Sequence, residues 1–225
     1  KVLRVLGQVY DAELKDVDRA IDTYQAILDI DPNDFDAITS LDRLYGTAER
    51  WHDQLTIIQR ALELTERHEA QTELRHRVGH LWETELADPT RAVESYREVL
   101  SIDPNHAATL AALDRIVHGD VEPMAAAEVL EPFYEQLAEW EKLIDLYQVM
   151  VSHTVDPAAQ IERLHMIAGI QERHMQNLDA AFASYAAAME IDPQNETTIG
   201  QLGRIADATG DWERVAGLMA SEAEK

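Results

Sequence analysis

The feature that most constrains the fold is a tripeptide, Ile-Asp-Pro, that occurs three times in the 225 residues. The copies begin at Ile30, Ile102 and Ile191, so they are separated by 72 and 89 residues. The segments that precede the three copies align without gaps. Recurrence at a fixed distance is typical of repeat proteins, in which one small structural unit is stacked several times.

A series of tryptophans gives the same two distances in reverse order. Trp51, Trp140 and Trp212 are separated by 89 and 72 residues. The repeating module is therefore 72 residues long, and the middle module carries 17 additional residues between Pro104 and Trp140. These distances predict modules at about 1–69, 70–156 and 157–225.

The apolar residues that precede each Ile-Asp-Pro recur with the period of an α-helix. Val17, Ala20, Ile21, Tyr24 and Leu28 follow the spacing of one helix face. No segment alternates with a period of two over a useful length, so we predict no strand. The period predicts helices at about 1–14, 16–30, 33–47, 50–66, 70–86, 89–101, 104–118, 123–137, 139–153, 157–174, 178–190, 193–208 and 211–223.

The additional residues of the middle module amount to one helix, near 105–122. A single inserted helix disturbs the alternation of the two helices of each pair. We therefore predict a local break in the array around residues 117–140.

Asp-Pro dipeptides are expected to mark helix boundaries. Asp31 is predicted to cap the next helix, because its carboxylate can accept hydrogen bonds from the unpaired N–H groups of the first turn. Pro32 is predicted at the first helical position, where its missing N–H costs nothing, and it cannot continue the preceding helix. The same arrangement is expected at Asp103-Pro104, Asp192-Pro193, Asp88-Pro89 and Asp156-Pro157.

The residues in register resemble the tetratricopeptide repeat family. The family pattern has a Leu-Gly-x-x-Tyr group in the first helix, an alanine and an aromatic residue in the second, and a proline at the end. The matching residues are Leu6, Gly7, Tyr10, Ala20, Tyr24 and Pro32, then Val78, Gly79, Trp82, Ala92, Tyr96 and Pro104, and later Ile167, Ala168, Ala181, Tyr185 and Pro193. The units that contain tryptophan also resemble half-a-TPR repeats.

The resemblance covers essentially the whole chain. It implies an all-α, right-handed α-solenoid of about 13 helices in antiparallel pairs, forming one domain over residues 1–225. The small residues Gly7, Gly79 and Ala168 are expected to let paired helices approach closely, and the tyrosines to fill the space between layers. The chain begins with Lys1 inside a predicted helix, so we expect a fragment of a longer array.

The charge and composition exclude several classes of protein. The chain has 43 Asp and Glu against 19 Lys and Arg, a net charge of −24, which repels nucleic acids and anionic membrane surfaces. No apolar run approaches the roughly 20 residues needed to insert across a bilayer. The chain has no cysteine, so thiolate ligands and disulfides are excluded. The cytoplasm and the periplasm fit equally, and the compartment stays open.

Nothing in the sequence indicates catalysis. No glycine-rich phosphate loop, nucleophile elbow or His-Glu-x-x-His motif is present. His76 and His80 are four residues apart and could reach one metal ion from one helix face, but no third ligand is evident. We therefore expect no enzyme, no cofactor and no metal site.

In the family, the first helix of each pair lines a concave groove. The resemblance implies that the groove binds a protein or peptide, and arginine favours an acidic or carboxylate-bearing partner. The alternative is that Arg43, Arg115 and Arg204 pair with local carboxylates and hold neighbouring helices. The groove positions, carried over to this sequence, are Arg4, Gln8, Arg43, His76, Arg77, His80, Arg115, His165 and Arg204.

Two further functions stay open at this point. One is self-association through exposed end helices. The other is a regulatory or anchoring role within a larger enzyme or membrane-associated protein. The carboxylate clamp of the chaperone-binding members is not matched, because Arg4 and Gln8 stand where that clamp has Lys and Asn.

Overall fold

The computed structural model describes residues 1–223, and within this range it contains thirteen α-helices and no strand. Every predicted helix is present, so the predicted all-α helical repeat is confirmed. The last two residues of the predicted domain lie outside the described range. The helices are α1 Val2–Gln8, extended by the π-helical turn Val9–Glu13, α2 Val17–Ile30, α3 Phe35–Thr47, α4 Trp51–Leu64, α5 His68–Thr84, α6 Pro89–Ile102, α7 Ala107–Val117, α8 Pro123–Gln136, α9 Trp140–His153, α10 Pro157–Arg173, α11 Leu178–Ile191, α12 Glu196–Thr209 and α13 Trp212–Ala223.

The chain divides into two compact units, Lys1–Leu113 and Asp114–Lys225. In the first unit each helix from α1 to α5 packs against the next one in sequence, and in the second unit each helix from α8 to α12 does so. The boundary falls within α7, the helix predicted as the insertion near 105–122. The single domain, its right-handed course and the break at 117–140 stay predictions.

Each unit has an apolar core built from equivalent positions of the repeat. In the first unit Ala20, Ile21 and Tyr24 of α2 pack with residues of α3 and α4. In the second unit the equivalent residues Ala181, Phe182 and Tyr185 of α11 pack with residues of α12 and α13. Each large apolar side chain removed from water in this way stabilises the fold by about 1.5–3 kcal/mol.

A glycine in the first helix of a pair faces the tyrosine of the second helix. A β-carbon added at Gly7 would lie 3.0 Å from the ring of Tyr24, and one added at Gly79 would lie 2.5 Å from the ring of Tyr96. The absence of a side chain lets the two helices approach closely, as predicted. Ala168 holds the equivalent position in the second unit and is fully buried.

The Asp-Pro prediction is right at two boundaries. Asp88 caps α6 by accepting a hydrogen bond from the Arg91 amide at 3.1 Å. Asp156 caps α10 in the same way, and both helices have proline in the first turn. At the three Ile-Asp-Pro sites the prediction is wrong, because the next helix begins about three residues later than expected.

The Ile-Asp-Pro sites are β-turns rather than helix starts. The Asp34 amide donates to the Asp31 carbonyl at 3.1 Å, and the Asp31 carboxylate accepts from the Asn33 amide at 3.2 Å. Pro32 is the second residue of this turn, a position that its fixed φ favours. Asp34 then caps α3 with its carboxylate. The residues that follow the other two turns and cap α7 and α12 are His106 and Asn195.

The turns between other helices repeat a left-handed residue at the same two distances. This recurrence shows that the modules share backbone geometry as well as sequence. One series has φ of 53°, 50° and 53° at Lys15, Ala87 and Gln176. The other has φ of 56°, 55° and 76° at Glu49, Ala138 and Gly210.

We predict that Gly79→Ala lowers the midpoint of thermal unfolding. The new methyl group would overlap the Tyr96 ring, and overpacking a buried site costs about 1–3 kcal/mol. That cost exceeds the gain of about 1 kcal/mol from the better helix propensity of alanine. Circular dichroism during heating measures the change.

Gly200→Ala is the matched control, since Gly200 is also within a helix but no atom lies within 4 Å of an added β-carbon. We expect this variant to unfold at a slightly higher temperature than the wild type. Similar shifts for the two variants would contradict the close helix approach at Gly79.

Candidate functional site

The predicted groove residues of the first unit line two concavities. Arg4, Gln8 and Arg43 line the first, which has a volume of about 640 Å³. The second, of about 400 Å³, is lined by the other predicted residues of this unit, His76, Arg77 and His80. The structure therefore brings these six predicted residues together in two groups of three.

The three arginines of these concavities are held in ion pairs that join successive helix pairs. Their side chains are 44–56% exposed, so they remain accessible to a partner. The paired residues are 30 to 35 positions apart in sequence, about one helix pair. Exposed ion pairs of this kind contribute about 0–1 kcal/mol each. The pairs are Arg4 with Asp34, Arg43 with Asp11, and Arg77 with Asp42 at 2.8 Å.

A polar joint links the first helix of each module to the start of its third helix. In the first module Arg4 of α1 pairs with Asp34, the residue that caps α3. In the second module the Thr109 hydroxyl lies 2.9 Å from Nδ1 of His76 on α5 and 2.8 Å from Nδ1 of the capping residue His106.

The third module has the same joint with a different set of side chains. Nε2 of His165 on α10 lies 2.8 Å from the Thr198 hydroxyl, which donates to the capping residue Asn195 at 3.0 Å. The capping residues of the three modules stand at equivalent positions, 72 and 89 residues apart. The joint is therefore part of the repeat, and its chemistry changes from module to module.

The surroundings of the joints shift the pKa values of their titratable groups. Burial lowers the pKa of His76, and the neighbouring His106 lowers it further. Burial also lowers the pKa of His165. Burial alone would raise the pKa of Asp34, but hydrogen bonds from the α3 amide of Ala37 and from Arg4 lower it overall.

The other predicted residues belong to the second unit. Arg204 donates two hydrogen bonds to the Glu172 carboxylate, at 2.6 and 2.5 Å, which raise the pKa of Arg204 and lower that of Glu172. This pair is what the alternative interpretation of the sequence predicts for Arg204. His165 lines a concavity of about 400 Å³, and Arg115 is exposed on α7.

Phe35 and Arg173 are among the residues that line these concavities but were not predicted. Phe35 lines the first concavity and is 54% exposed, although it is a large apolar residue. Its equivalents in the other modules are Ala107 and Glu196, so the alignment could have indicated a solvent-facing position. Arg173 lines the concavity beside His165 and donates to a backbone carbonyl, and no repeat column identifies it.

The described residues were searched for metal-binding groups and for helices that could span a membrane. Within residues 1–223, no group of three histidine, aspartate or glutamate side chains is arranged to hold a metal ion. In the same range, no helix is both long enough and apolar enough to cross a membrane.

His76 and His80, the two histidines four residues apart, differ in environment, because His76 contacts Thr109 whereas His80 is exposed beside Thr84.

We predict that acidification destabilises the second unit through His165. The folded pKa of His165 lies below the value of about 6.5 in the unfolded chain. The folded state therefore binds the proton less well, so the stability present above pH 6.5 is lost as the pH falls below it. His165→Gln keeps a polar side chain that does not titrate.

The measurement is thermal unfolding of both proteins at pH 7.5 and pH 5. Between these values the wild type should lose roughly a few degrees more than His165→Gln. Equal losses would show that the burial of His165 does not govern its protonation.

Comparison with known proteins identifies the repeat. The family model described as tetratricopeptide repeat matches residues 5–34, and a second model with the same description matches residues 83–106. No curated protein is similar enough to count as a relative.

Several solved structures are similar to the chain at low sequence identity. The TPR2AB domain of yeast Sti1, in its complex with pHSP90, is 14% identical, with 96% of this chain and 86% of that chain covered and a TM-score of 0.38. YrrB, a TPR protein with an unusual peptide-binding site, is 13% identical, with 86% and 87% covered and a TM-score of 0.36. The TPR domain of P58(IPK) is 12% identical, with 97% and 67% covered and a TM-score of 0.41.

At these identities the assignment rests on the two repeat matches and on the helix pattern, not on any one structure. The first match covers α1 and α2 and includes both Gly7 and Tyr24. The second covers the end of α5 and all of α6, and of the glycine–tyrosine pair it includes only Tyr96. Proteins of this kind generally serve as scaffolds for protein–protein interaction. The chain therefore contains two segments that match the tetratricopeptide repeat, residues 5–34 and 83–106.

Proposed function

We propose that the chain is a non-catalytic scaffold whose first unit binds a peptide segment of a partner protein. The observation that carries this proposal is the open concavity of about 640 Å³ beside α1 and α3. It combines the cationic side chains of Arg4 and Arg43 with the exposed ring of Phe35.

The lining of this concavity favours a peptide with one carboxylate next to an apolar side chain. Arg43 bonds Asp11 through Nη2, and a guanidinium has further N–H donors that can take a second carboxylate. The apolar side chain would cover Phe35 and remove it from water. Asp11 and Asp36 flank the arginines, so a long acidic run would be repelled.

The second concavity of the same unit extends the proposed surface. His76, Arg77 and His80 line it together with the ring of Trp51. In the second unit Arg115, His165 and Arg204 are proposed partner contacts as well. Both terminal nitrogens of the Arg204 guanidinium already donate to Glu172, so we expect Arg204 to contribute least to partner binding.

The test is selection of a phage-displayed library of ten-residue peptides on the intact chain, followed by fluorescence anisotropy with the selected peptides. Thr39→Trp fills the first concavity from an exposed position of α3 and leaves the ion pairs in place. We expect it to weaken peptide binding at least tenfold, or about 1.4 kcal/mol.

Thr56→Trp is the matched control. Thr56 is also an exposed helical threonine whose hydroxyl donates to the carbonyl four residues earlier, as Thr39 does. It lies on α4 and should leave the affinity unchanged. Equal affinity of both variants, or a library that yields no peptide, would contradict the proposal.

A second candidate function is self-association through α1. Val2, Val5 and Leu6 of α1, and Val9 of the π-helical turn that extends it, are 81%, 57%, 38% and 38% exposed. Apolar stripes of this kind in helical proteins normally pack against another helix. A second copy of the chain could supply that helix.

Light scattering at increasing protein concentration tests this candidate. If α1 mediates association, the mass of the wild type should rise with concentration, and Val5→Glu should hold it at the monomer value. Val155→Glu makes the same change at a residue that is 93% exposed outside the helices, and should behave as the wild type. A constant monomer mass for the wild type excludes the candidate.

A further inference from the structure

The buried hydroxyl of Thr109 joins two imidazoles at the start of α7. Its oxygen is within hydrogen-bond distance of Nδ1 of His76 and of Nδ1 of His106, and the two rings are 5.2 Å apart. The Thr109 residue is fully buried. A hydroxyl has a single proton, so it can donate to only one of these two nitrogens.

The backbone of α7 decides which nitrogen that is. The Thr109 amide points at Nδ1 of His106 at 3.3 Å, so this nitrogen accepts and carries no proton. The hydroxyl proton is then donated to His106, and the hydroxyl oxygen accepts from Nδ1–H of His76. Nε2–H of His106 is left to donate to Glu73 at 3.4 Å. With both rings neutral, each of these protons has an acceptor.

A further proton breaks this arrangement at either ring. On His106 it must go to Nδ1, where it would face the amide and the hydroxyl that this nitrogen had accepted. It would also place a positive charge at the N-terminus of α7, which the helix dipole disfavours. On His76 it would place a positive charge in a half-buried position next to His106.

The groups around His76 have opposing effects on its pKa. The Tyr96 ring of α6 packs against it with centroids 5.5 Å apart. Two carboxylates of α5 favour its protonation, but burial and the neighbouring imidazoles outweigh them and lower its pKa. The charged and titratable groups that face it from α5 are Glu73, His80 and Glu83.

The other two modules have joints whose capping residues do not titrate near neutral pH. Asp34 caps α3 as a carboxylate with a lowered pKa, and Asn195 caps α12 with an amide. Of the three joints, only the middle one has an imidazole at the capping position, next to a second imidazole, that of His76.

We propose that the α5–α7 joint is a pH-sensitive latch, closed while His76 and His106 are neutral and released when the joint takes up a proton. Release frees the first turn of α7 from α5. α7 is also the helix in which the boundary between the two units falls. This inference does not depend on the proposed peptide binding.

The experiment is amide hydrogen exchange of the intact chain at pH 7.5 and pH 5.5, with rates divided by the intrinsic rates at each pH. In the wild type, the protection of residues 106–113 should fall at least tenfold at the lower pH. Residues 34–41, whose cap is Asp34, are the internal reference and should change less than twofold.

The double variant His76→Gln/His106→Asn removes both imidazoles from the joint and gives α7 the capping residue of the third module. We expect it to keep the protection of residues 106–113 at both pH values. No fall in the wild type, or an equal fall in the variant, would overturn the latch.

If the double variant does not fold, long-range ¹H–¹⁵N spectra of the wild-type histidines test the same arrangement. At pH 7.5 they should show protonated Nδ1 in His76 and protonated Nε2 in His106. The opposite tautomer in either ring would overturn the proposal.

Discussion

The fold depends on a tyrosine that fills the gap between the two helices of a pair. In the first two modules a glycine faces this ring, so close that an added β-carbon would overlap it at Gly79. The same ring supports the polar joint, because His76 packs on Tyr96 and His165 packs on Tyr185, with ring centroids 5.5 and 5.2 Å apart. Core packing and the polar links between helices are therefore not independent.

Arginines at the predicted groove positions pair with carboxylates about one helix pair away, and Arg43 and Arg77 also line the concavities. Arg43, Arg77 and Arg204 each pair with a carboxylate 32 to 35 residues away. In a chain with a net charge of −24, such pairs orient the few cations that line the concavities. A peptide of the proposed kind would add to these pairs rather than meet unpaired charges, which is why we propose a single carboxylate combined with an apolar side chain.

The sequence predicts the helices well because their information is local and repeated. It misplaces the caps after Ile-Asp-Pro because Asp31 and Asp34 are equally good capping residues, and only the β-turn decides between them. The spacing of residues along one helix does not predict which carboxylate, about one helix pair away, an arginine will bind. Phe35 and the two concavities of the first unit depend on how three helices meet, which the repeat pattern does not specify.

A double-mutant cycle of Gly79→Ala and Tyr96→Leu tests the central claim most directly. Denaturant unfolding would give the free energy of unfolding of the wild type, both single variants and the double variant. If the ring occupies the space of the missing side chain, Gly79→Ala should cost little once the smaller leucine is present. We expect a coupling energy of about 1 kcal/mol or more between the two sites. If the two losses of unfolding free energy are additive, the claim is contradicted, because Gly79 would then not be making room for the Tyr96 ring.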